Sequence, residues 1–476
     1  MQPVLSVNRV KSVERDWADN HGGSTWPLMT RAGSAVAELA CHHWPGLKYV
    51  WVLAGRGNNG GDGYIAAARL RAVGVTVTVI APSGEPKPDT DAYRAWQEYA
   101  DQGGTLESNL PYDSPDLVID ALIGTGHVGE LKANLVDLLN RVRERRAPVL
   151  AVDAPSGLNA ATGQADLALL KADRTISFIA YKPGLLTGQG PAVCGELVLE
   201  TLGVEWPSGG FWSDGEAVYL DRALDRPARP GDSHKGQFGG VRVLAGAEGM
   251  GGAGLLAARA ALAAGAGKVY WHTSPEQAKS ALIAQPELMS TELTADYVPD
   301  GSIHVLGPGL GQGDTAGALY RRLLLDDHDA RGVLDADGLT WLARFPKPVH
   351  NWVLTPHPGE AARLLGRSTK DIQSDRCQAA MELSERYQTT VILKGAGSLI
   401  AHQGRLYFNH PGDPAMATPG MGDTLAGLIA GLMAQGLGAE EAAKTGAWWH
   451  AKLGAQLAQR YRIVLATDLI EAIRLR

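Results

Sequence analysis

Residues 49–63 read Tyr-Val-Trp-Val-Leu-Ala-Gly-Arg-Gly-Asn-Asn-Gly-Gly-Asp-Gly, and the pattern returns at 117–129 as Leu-Val-Ile-Asp-Ala-Leu-Ile-Gly-Thr-Gly-His-Val-Gly. Each is a short apolar run bounded by glycine, which reads as a buried strand opening into a tight turn. Val75–Ile80 and Val149–Asp153 are further strands of the same kind, separated by helical patterns over 63–73 and about 89–102. Strands alternating with helices predict βαβ units on an open, doubly wound parallel sheet. Such sheets take ligands at the carboxyl ends of their strands.

Five glycines between 55 and 63 allow the backbone to approach a ligand closely and to adopt positive φ, while the next helix offers free N–H groups to a phosphate. No Gly-Lys-Ser/Thr follows, so this is not a Walker A loop, and the Rossmann fingerprint fits it poorly. A plain turn needs neither the paired Asn58 and Asn59 nor Asp62. Asp120 and Asp153 also end strands, the second before Pro155-Ser156-Gly157. One strand-end Asp reads equally well as a cap or turn residue. Three such strand ends on one sheet predict a pocket with carboxylate, amide and hydroxyl oxygens.

Turn residues at 203–210 and 226–232 break the pattern and place a domain boundary near 225, giving domains 1–225 and 226–476. The second series starts at Gly240–Gly246. Its Gly-rich stretch 246–254 opens an Ala-rich helix over 255–264, and Val305-Leu-Gly-Pro-Gly-Leu-Gly311 is another strand-to-turn step. His357 is pinned between Pro356 and Pro358 at a helix start, a plausible ligand contact. Lys394-Gly-Ala-Gly-Ser398 ends a buried strand in a cation and a small-residue loop suited to nucleotide phosphates. In Gly420-Met-Gly-Asp-Thr424, helix-start N–H groups form an anion hole and Asp423 can accept a proton. Asp423 alone reads as an N-cap; with a phosphate loop beside it, it completes the parts of phosphoryl transfer.

Glycine makes up 59 of 476 residues, roughly 12% against a usual 7% or so, with no collagen-like period. A formal charge of −7 and the lack of long basic runs argue against nucleic acid binding. Cys41, Cys194 and Cys377 are too few for a disulfide framework, and no signal peptide or membrane span is expected. A cytoplasmic, globular protein is the expectation.

Taken together, Gly-Asn-Asn-Gly-Gly-Asp-Gly, Asp-Ala-Leu-Ile-Gly-Thr-Gly and Val-Asp-Ala-Pro-Ser-Gly resemble the NAD(P)H-hydrate epimerase domain of bifunctional NAD(P)H-hydrate repair enzymes, over roughly residues 1–220. The resemblance implies that Asn58, Asn59, Gly60, Gly61, Asp62 and Gly124, Thr125, Gly126, His127, Val128, Gly129, Glu130 hold the hydrated dinucleotide. It also implies that Asp153 meets the reacting end, and that Asn59, Asp120 and Ser156 supply oxygens to K⁺.

From about 230, Lys-Gly-x-Phe-Gly, Gly-Pro-Gly-Leu-Gly, Thr-Pro-His-Pro-Gly-Glu, Lys-Gly-Ala-Gly and Gly-Met-Gly-Asp resemble the ribokinase-like, ADP-dependent NAD(P)H-hydrate dehydratases. This implies S-hydrate contacts from Ala253, Gly309, His357 and Asp423. Lys394, Gly395, Ala396, Gly397, Ser398 and Gly422 would hold ADP or AMP, with Mg²⁺ alongside the ADP. Pro419 departs from the Gly of many relatives.

The expected fold class is α/β, with a Rossmann-like three-layer N-terminal domain and a ribokinase-like C-terminal domain, both doubly wound. Asp153 and Asp423 are the expected catalytic residues, the resemblance implies NADHX or NADPHX and ADP as ligands, and a homo-oligomer is expected. The alternatives are a small-molecule kinase fused to a nucleotide-binding domain, and a dinucleotide sensor without turnover.

Overall fold

The computed structural model describes residues 1–205, 217–221 and 224–475. Residues 206–210 of the expected linker therefore lie outside the described residues. The chain forms two compact units, Gln2–Trp212 and, with Met1, Ser213–Arg476.

After β1 (Gln2–Val4), the first unit lays down β2 (Tyr49–Ala54), β3 (Thr76–Ile80), β4 (Leu106–Glu107), β5 (Leu117–Ala121), β6 (Val149–Val152), β7 (Arg174–Phe178) and β8 (Glu196–Glu200). Strands β2 to β8 pair in the order β4-β3-β2-β5-β6-β7-β8, every pair parallel. Alternation along β2 splits its side chains between the two faces. Val50 and Val52 join Leu28, Val36, Tyr64 and Ile65 in one apolar cluster. Trp51 and Leu53 join Leu135, Leu138 and Val142 in the other. The result is the expected three layers. The order reverses between β2 and β5, so the turns after these two strands flank the switch-point crevice.

The second unit adds β9 (Ala217–Tyr219), β10 (Gly240–Leu244), β11 (Lys268–Thr273), β12 (Met289–Glu292), β13 (Ile303–Leu306), β14 (Arg331–Leu334), β15 (Trp352–Leu354), β16 (Thr390–Leu393), β17 (Leu399–His402) and β18 (Arg405–Phe408). Their order is β9-β18-β17-β16-β15-β14-β13-β10-β11-β12, parallel from β12 to β16 and antiparallel through β16-β17-β18. Here the switch point lies between β10 and β13. β9 pairs with β18, so this sheet draws on residues ahead of 225. Among the described residues, no helix is long and apolar enough to cross a membrane.

The glycines at 55–63 do not adopt the positive φ open to them. Their role is close approach. A Cβ on Gly55 would lie 2.0 Å from Leu122 O, and one on Gly60 would lie 2.0 Å from Gly55 O. The helix accordingly starts at Asn58 rather than 63, running Asn58–Ala72 and taking in the whole Asn-Asn-Gly-Gly-Asp segment.

The same device joins the helices Gly251–Ala264 and Met421–Ala434, where a Cβ on Gly427 would meet Ala257 O at 2.0 Å. Gly427→Ala should destabilise the second unit by about 2–3 kcal/mol through overpacking, despite alanine's better helix propensity. Gly252→Ala, at a helical position with open space around it, should instead be neutral or stabilising by up to about 1 kcal/mol. Denaturant unfolding of the two variants checks the difference.

Candidate functional site

The first unit carries a cavity of about 450 Å³ beside its switch point. Asn58, Asn59 and Asp62 line it from the helix Asn58–Ala72, Gly124, Thr125 and Gly126 from the turn after β5, and Asp153 from the end of β6. Gly60 and Gly61 are buried helix-packing positions, His127 is buried away from the cavity, and Val128, Gly129 and Glu130 are exposed outside its lining.

Asp153 has φ 63°, and Ala154 N donates to Val152 O across it at 2.8 Å, closing a γ-turn. This is a strained conformation for a residue with a side chain, and strain of this kind collects at functional sites. The turn is held by Asp153 N donating to Ile176 O at 2.7 Å. The Asp153 carboxylate pairs with Lys182 and accepts from Phe178 N at 3.3 Å. Lys182 is 1% exposed and also donates to Ser177 Oγ at 3.2 Å and Phe178 O at 3.0 Å. Burial and the charge of Asp153 raise the carboxyls of both Glu14 and Asp62, the latter well above the usual aspartate range.

Beneath the cavity, Asp120 and Ser156 are fully buried. Ser156 Oγ donates to Asp120 Oδ1 at 2.6 Å and Ser156 N to Oδ2 at 2.8 Å. Asp120 has no ion-pair partner among the described residues, and burial raises its carboxyl despite these hydrogen bonds. The Asn59 amide bridges the same region, its nitrogen donating to Val152 O at 2.9 Å and its oxygen accepting from Gly124 N at 3.2 Å.

In the second unit the turns after β10 and β13 are zipped together, Gly246 N donating to Pro308 O at 2.9 Å and Ala247 N to Gly309 O at 2.6 Å. Gly309, at φ 56°, lies against Met250 and Ala253. His357 caps the helix Pro358–Leu365: its Nδ1 accepts from Gly359 N at 3.0 Å while Glu360 returns a bond to His357 N at 2.8 Å. Its ring remains more than half exposed.

Asp423 is not the N-cap of its helix. Gly420, at φ 89°, holds that place without a side-chain cap, and Asp423 stands in the first turn. A Cβ on Gly422 would be 3.3 Å from Lys394 Nζ and 3.6 Å from Asp335 Oδ2, so this helix start abuts a charged cluster. Lys394 Nζ donates to Asp335 Oδ1 at 2.8 Å and lies 3.9 Å from Glu360 Oε2. Burial opposes the Lys394 charge, but Asp335 and Glu360 outweigh it and raise its pKa. Burial and Asp335 push Asp423 up to about 6, with Lys394 acting against them. Nearby, half-buried His450 meets Met421 O at 3.0 Å, and desolvation lowers its pKa to about 4. The Lys394–Ser398 loop is anchored by buried Arg376, which donates to Leu393 O and Lys394 O.

Lys182, Glu14 and Asp335 escape the sequence reading, and Glu360 carries no role in it beyond its motif. Asp335 follows the apolar run Gly332-Val333-Leu334, the same signal that singles out Asp120 and Asp153. Lys182 stands just past an apolar strand, and Glu14 has no local signal.

The NAD(P)H-hydrate dehydratase family model matches residues 241–475, and that of the YjeF-related protein N-terminus matches residues 26–184. The bifunctional NAD(P)H-hydrate repair enzyme Nnr of Coxiella burnetii is 39% identical, covering 99% of each chain. That of Escherichia coli is 38% identical over 99% of this chain and 93% of its own. A solved ADP/ATP-dependent NAD(P)H-hydrate dehydratase from Bacillus subtilis, co-crystallised with ATP and Mg²⁺, is 30% identical over 52% of this chain and 91% of its own, with a TM-score of 0.48. At this identity over 99% of its length, the chain belongs to the family of bifunctional NAD(P)H-hydrate repair enzymes.

Proposed function

We propose that the chain restores hydrated nicotinamide dinucleotides in two steps, one per domain. The N-terminal domain interconverts the R and S forms of NADHX and NADPHX at C6 by reversible ring opening, with Asp153 as acid/base. The C-terminal domain transfers phosphate from ADP to the C6 hydroxyl of the S form, Asp423 taking the hydroxyl proton. Elimination of phosphate then restores the C5–C6 double bond and leaves AMP and phosphate. Phosphorylation converts a poor leaving group into a good one. The observation that carries this reading is the place of Asp423, in the first turn of an uncapped helix beside Lys394, where burial and Asp335 push its carboxyl up to about 6. A base poised near working pH next to free N–H groups suits phosphoryl transfer to a hydroxyl.

Ala253, Gly309 and His357 surround the hydrate in this reading, and the Lys394–Ser398 loop with Gly422 holds the adenine nucleotide. Mg²⁺ travels with the ADP phosphates, as is usual for this ion; among the described residues no cluster of three or more acidic, His or Cys side chains could cage a metal. K⁺ fits the first domain, because Asp120 is a buried carboxylate without a cation. Asp120 and Ser156 would hold it, and the Asn59 oxygen keeps a second lone pair for it. The ion would offset the buried negative charge. K⁺ should therefore raise the thermal stability of the first unit more than Li⁺ does, and Asp120→Asn should remove that difference. The three free cysteines support a reducing, cytoplasmic setting. A homo-oligomer is part of the reading, checked by sedimentation.

With mixed R and S hydrates and ADP, the reduced-nicotinamide absorbance should return fully, one phosphate released per chromophore. Asp153→Asn should stop near the S fraction, whereas Asp423→Asn should yield no chromophore while R/S exchange continues. A stable phosphorylated product without chromophore would point to the small-molecule kinase instead.

The dehydratase kcat/KM should fall as pH drops through about 6, because Asp423 must be ionised to act. Stability runs the other way. A carboxyl raised in the folded state favours folding while protonated, and that advantage is lost as pH rises from its unfolded value, about 4, toward 6. Asp423→Asn should therefore melt higher than the parent above pH 6 or so and equal to it below about pH 4, as read by pH-dependent thermal melts.

A further inference from the structure

Opening and reclosing a C6 hydroxyl ring needs two proton transfers of opposite sense in the same step. The hydroxyl must lose a proton as the carbonyl forms, and the ring nitrogen N1 must gain one as its bond to C6 breaks. Asp153, ion-paired with Lys182, suits the first. The cavity holds a second carboxyl in a contrasting setting. Asp62 is 9% exposed, lines the same cavity, and its carboxyl makes no hydrogen bond or ion pair among the described residues.

We propose that Asp62 is the general acid of the epimerase, protonating N1 from within the cavity while Asp153 takes the proton of the C6 hydroxyl. The assignment rests on the epimerase reading above. In the forward step the O–H proton passes to Asp153, C6 becomes a carbonyl, the C6–N1 bond breaks and the Asp62 proton goes to N1. Rotation about C5–C6 turns the other carbonyl face to N1. On reclosure N1 bonds to C6, the N1 proton returns to Asp62, and the oxygen recovers its proton from Asp153. No proton is gained or lost overall and no co-reactant is consumed.

Burial, the Asp153 charge and the Glu14 charge all favour the protonated form of Asp62, with Lys182 opposing. The other charged groups lining the cavity are Lys11 and Asp91, the latter accepting from Thr25 Oγ1 at 2.6 Å. Asp62 stands beyond the first turn of its helix, where the terminus does little to favour the anion. Glu14 is the rival acid, but it is less buried and faces Lys11 as well as Lys182, both favouring its ionised form.

The test follows R-to-S exchange in the full chain as a function of pH. The parent should lose kcat/KM on the alkaline side as Asp62 deprotonates. Asp62→Asn should lower kcat about 100-fold or more with KM within about threefold, and should flatten the alkaline limb. Glu14→Gln should keep that limb. Asp62→Glu, which retains an acid, should keep the limb at a reduced rate, and it decides the matter should thermal melts show Asp62→Asn to be unfolded. Asp62→Asn within about tenfold of the parent, a rise in KM alone, loss of the limb in Glu14→Gln, or its loss in Asp62→Glu would each overturn the assignment. A parent chain that exchanges no epimers would overturn the epimerase reading itself.

Discussion

Backbone packed directly on backbone is the constraint that both sites depend on. Gly55 meets Leu122, Gly60 meets Gly55, and Gly307 meets Asp335, each at a separation that a Cβ would violate. In the first unit these contacts seat the helix Asn58–Ala72 so close behind β2 and β5 that Asn59 reaches Val152 and Gly124. In the second, the contact of Gly307 with Asp335 O ties the turn after β13 to the end of β14. Any side chain there would push the elements apart by more than the tolerance of a hydrogen bond. Fit at the switch points therefore accounts for these glycines, while left-handed geometry is a separate need at Gly309, Gly395 and Gly420, and Gly307 serves both.

Parallel strands explain why the functional groups gather. Every strand from β2 to β8 points the same way, so the residues just past β2, β5, β6 and β7 all emerge at one edge. That edge receives Asn58, Gly124, Asp153 and Lys182 from segments far apart in sequence. Strain at Asp153 persists because backbone bonds on both sides over-determine it. Its own N–H is tied to β7, and its carboxylate to a lysine that two further contacts hold in place.

This geometry also sets what the sequence could reveal. Strand ends and Gly-rich turns depend on local pattern, so Asn58, Asp62, Asp153 and Asp423 can be found from the chain alone. Lys182 and Glu14 become relevant only once β7 and the helix Val7–Asn20 meet at the cavity, a tertiary fact without local trace. The glycines at 55–63 show a subtler limit. Freedom to adopt positive φ and freedom from Cβ contact leave the same letter in a sequence, and only the structure separates them. Asp335 differs again, since its strand-end signal is as legible as that of Asp120.

The two domains use one electrostatic device with different outcomes. Each pairs a lysine with an aspartate, one member of the pair being buried, Lys182 with Asp153 in the first and Asp335 with Lys394 in the second, and each sets a second carboxyl beside that pair. In the first domain the second carboxyl, Asp62, meets two acidic neighbours with only Lys182 opposing, and its pKa rises well above the usual range. In the second, Asp423 meets one, Asp335, with Lys394 opposing, and rises only to about 6. The first arrangement favours a protonated carboxyl more strongly than the second does. In the function proposed above, a ring opening with two opposed proton transfers would call for the former, and a hydroxyl attacking phosphorus for a carboxyl that ionises more readily. The two carboxyls thus differ in how many acidic neighbours each faces and in how deeply each is buried.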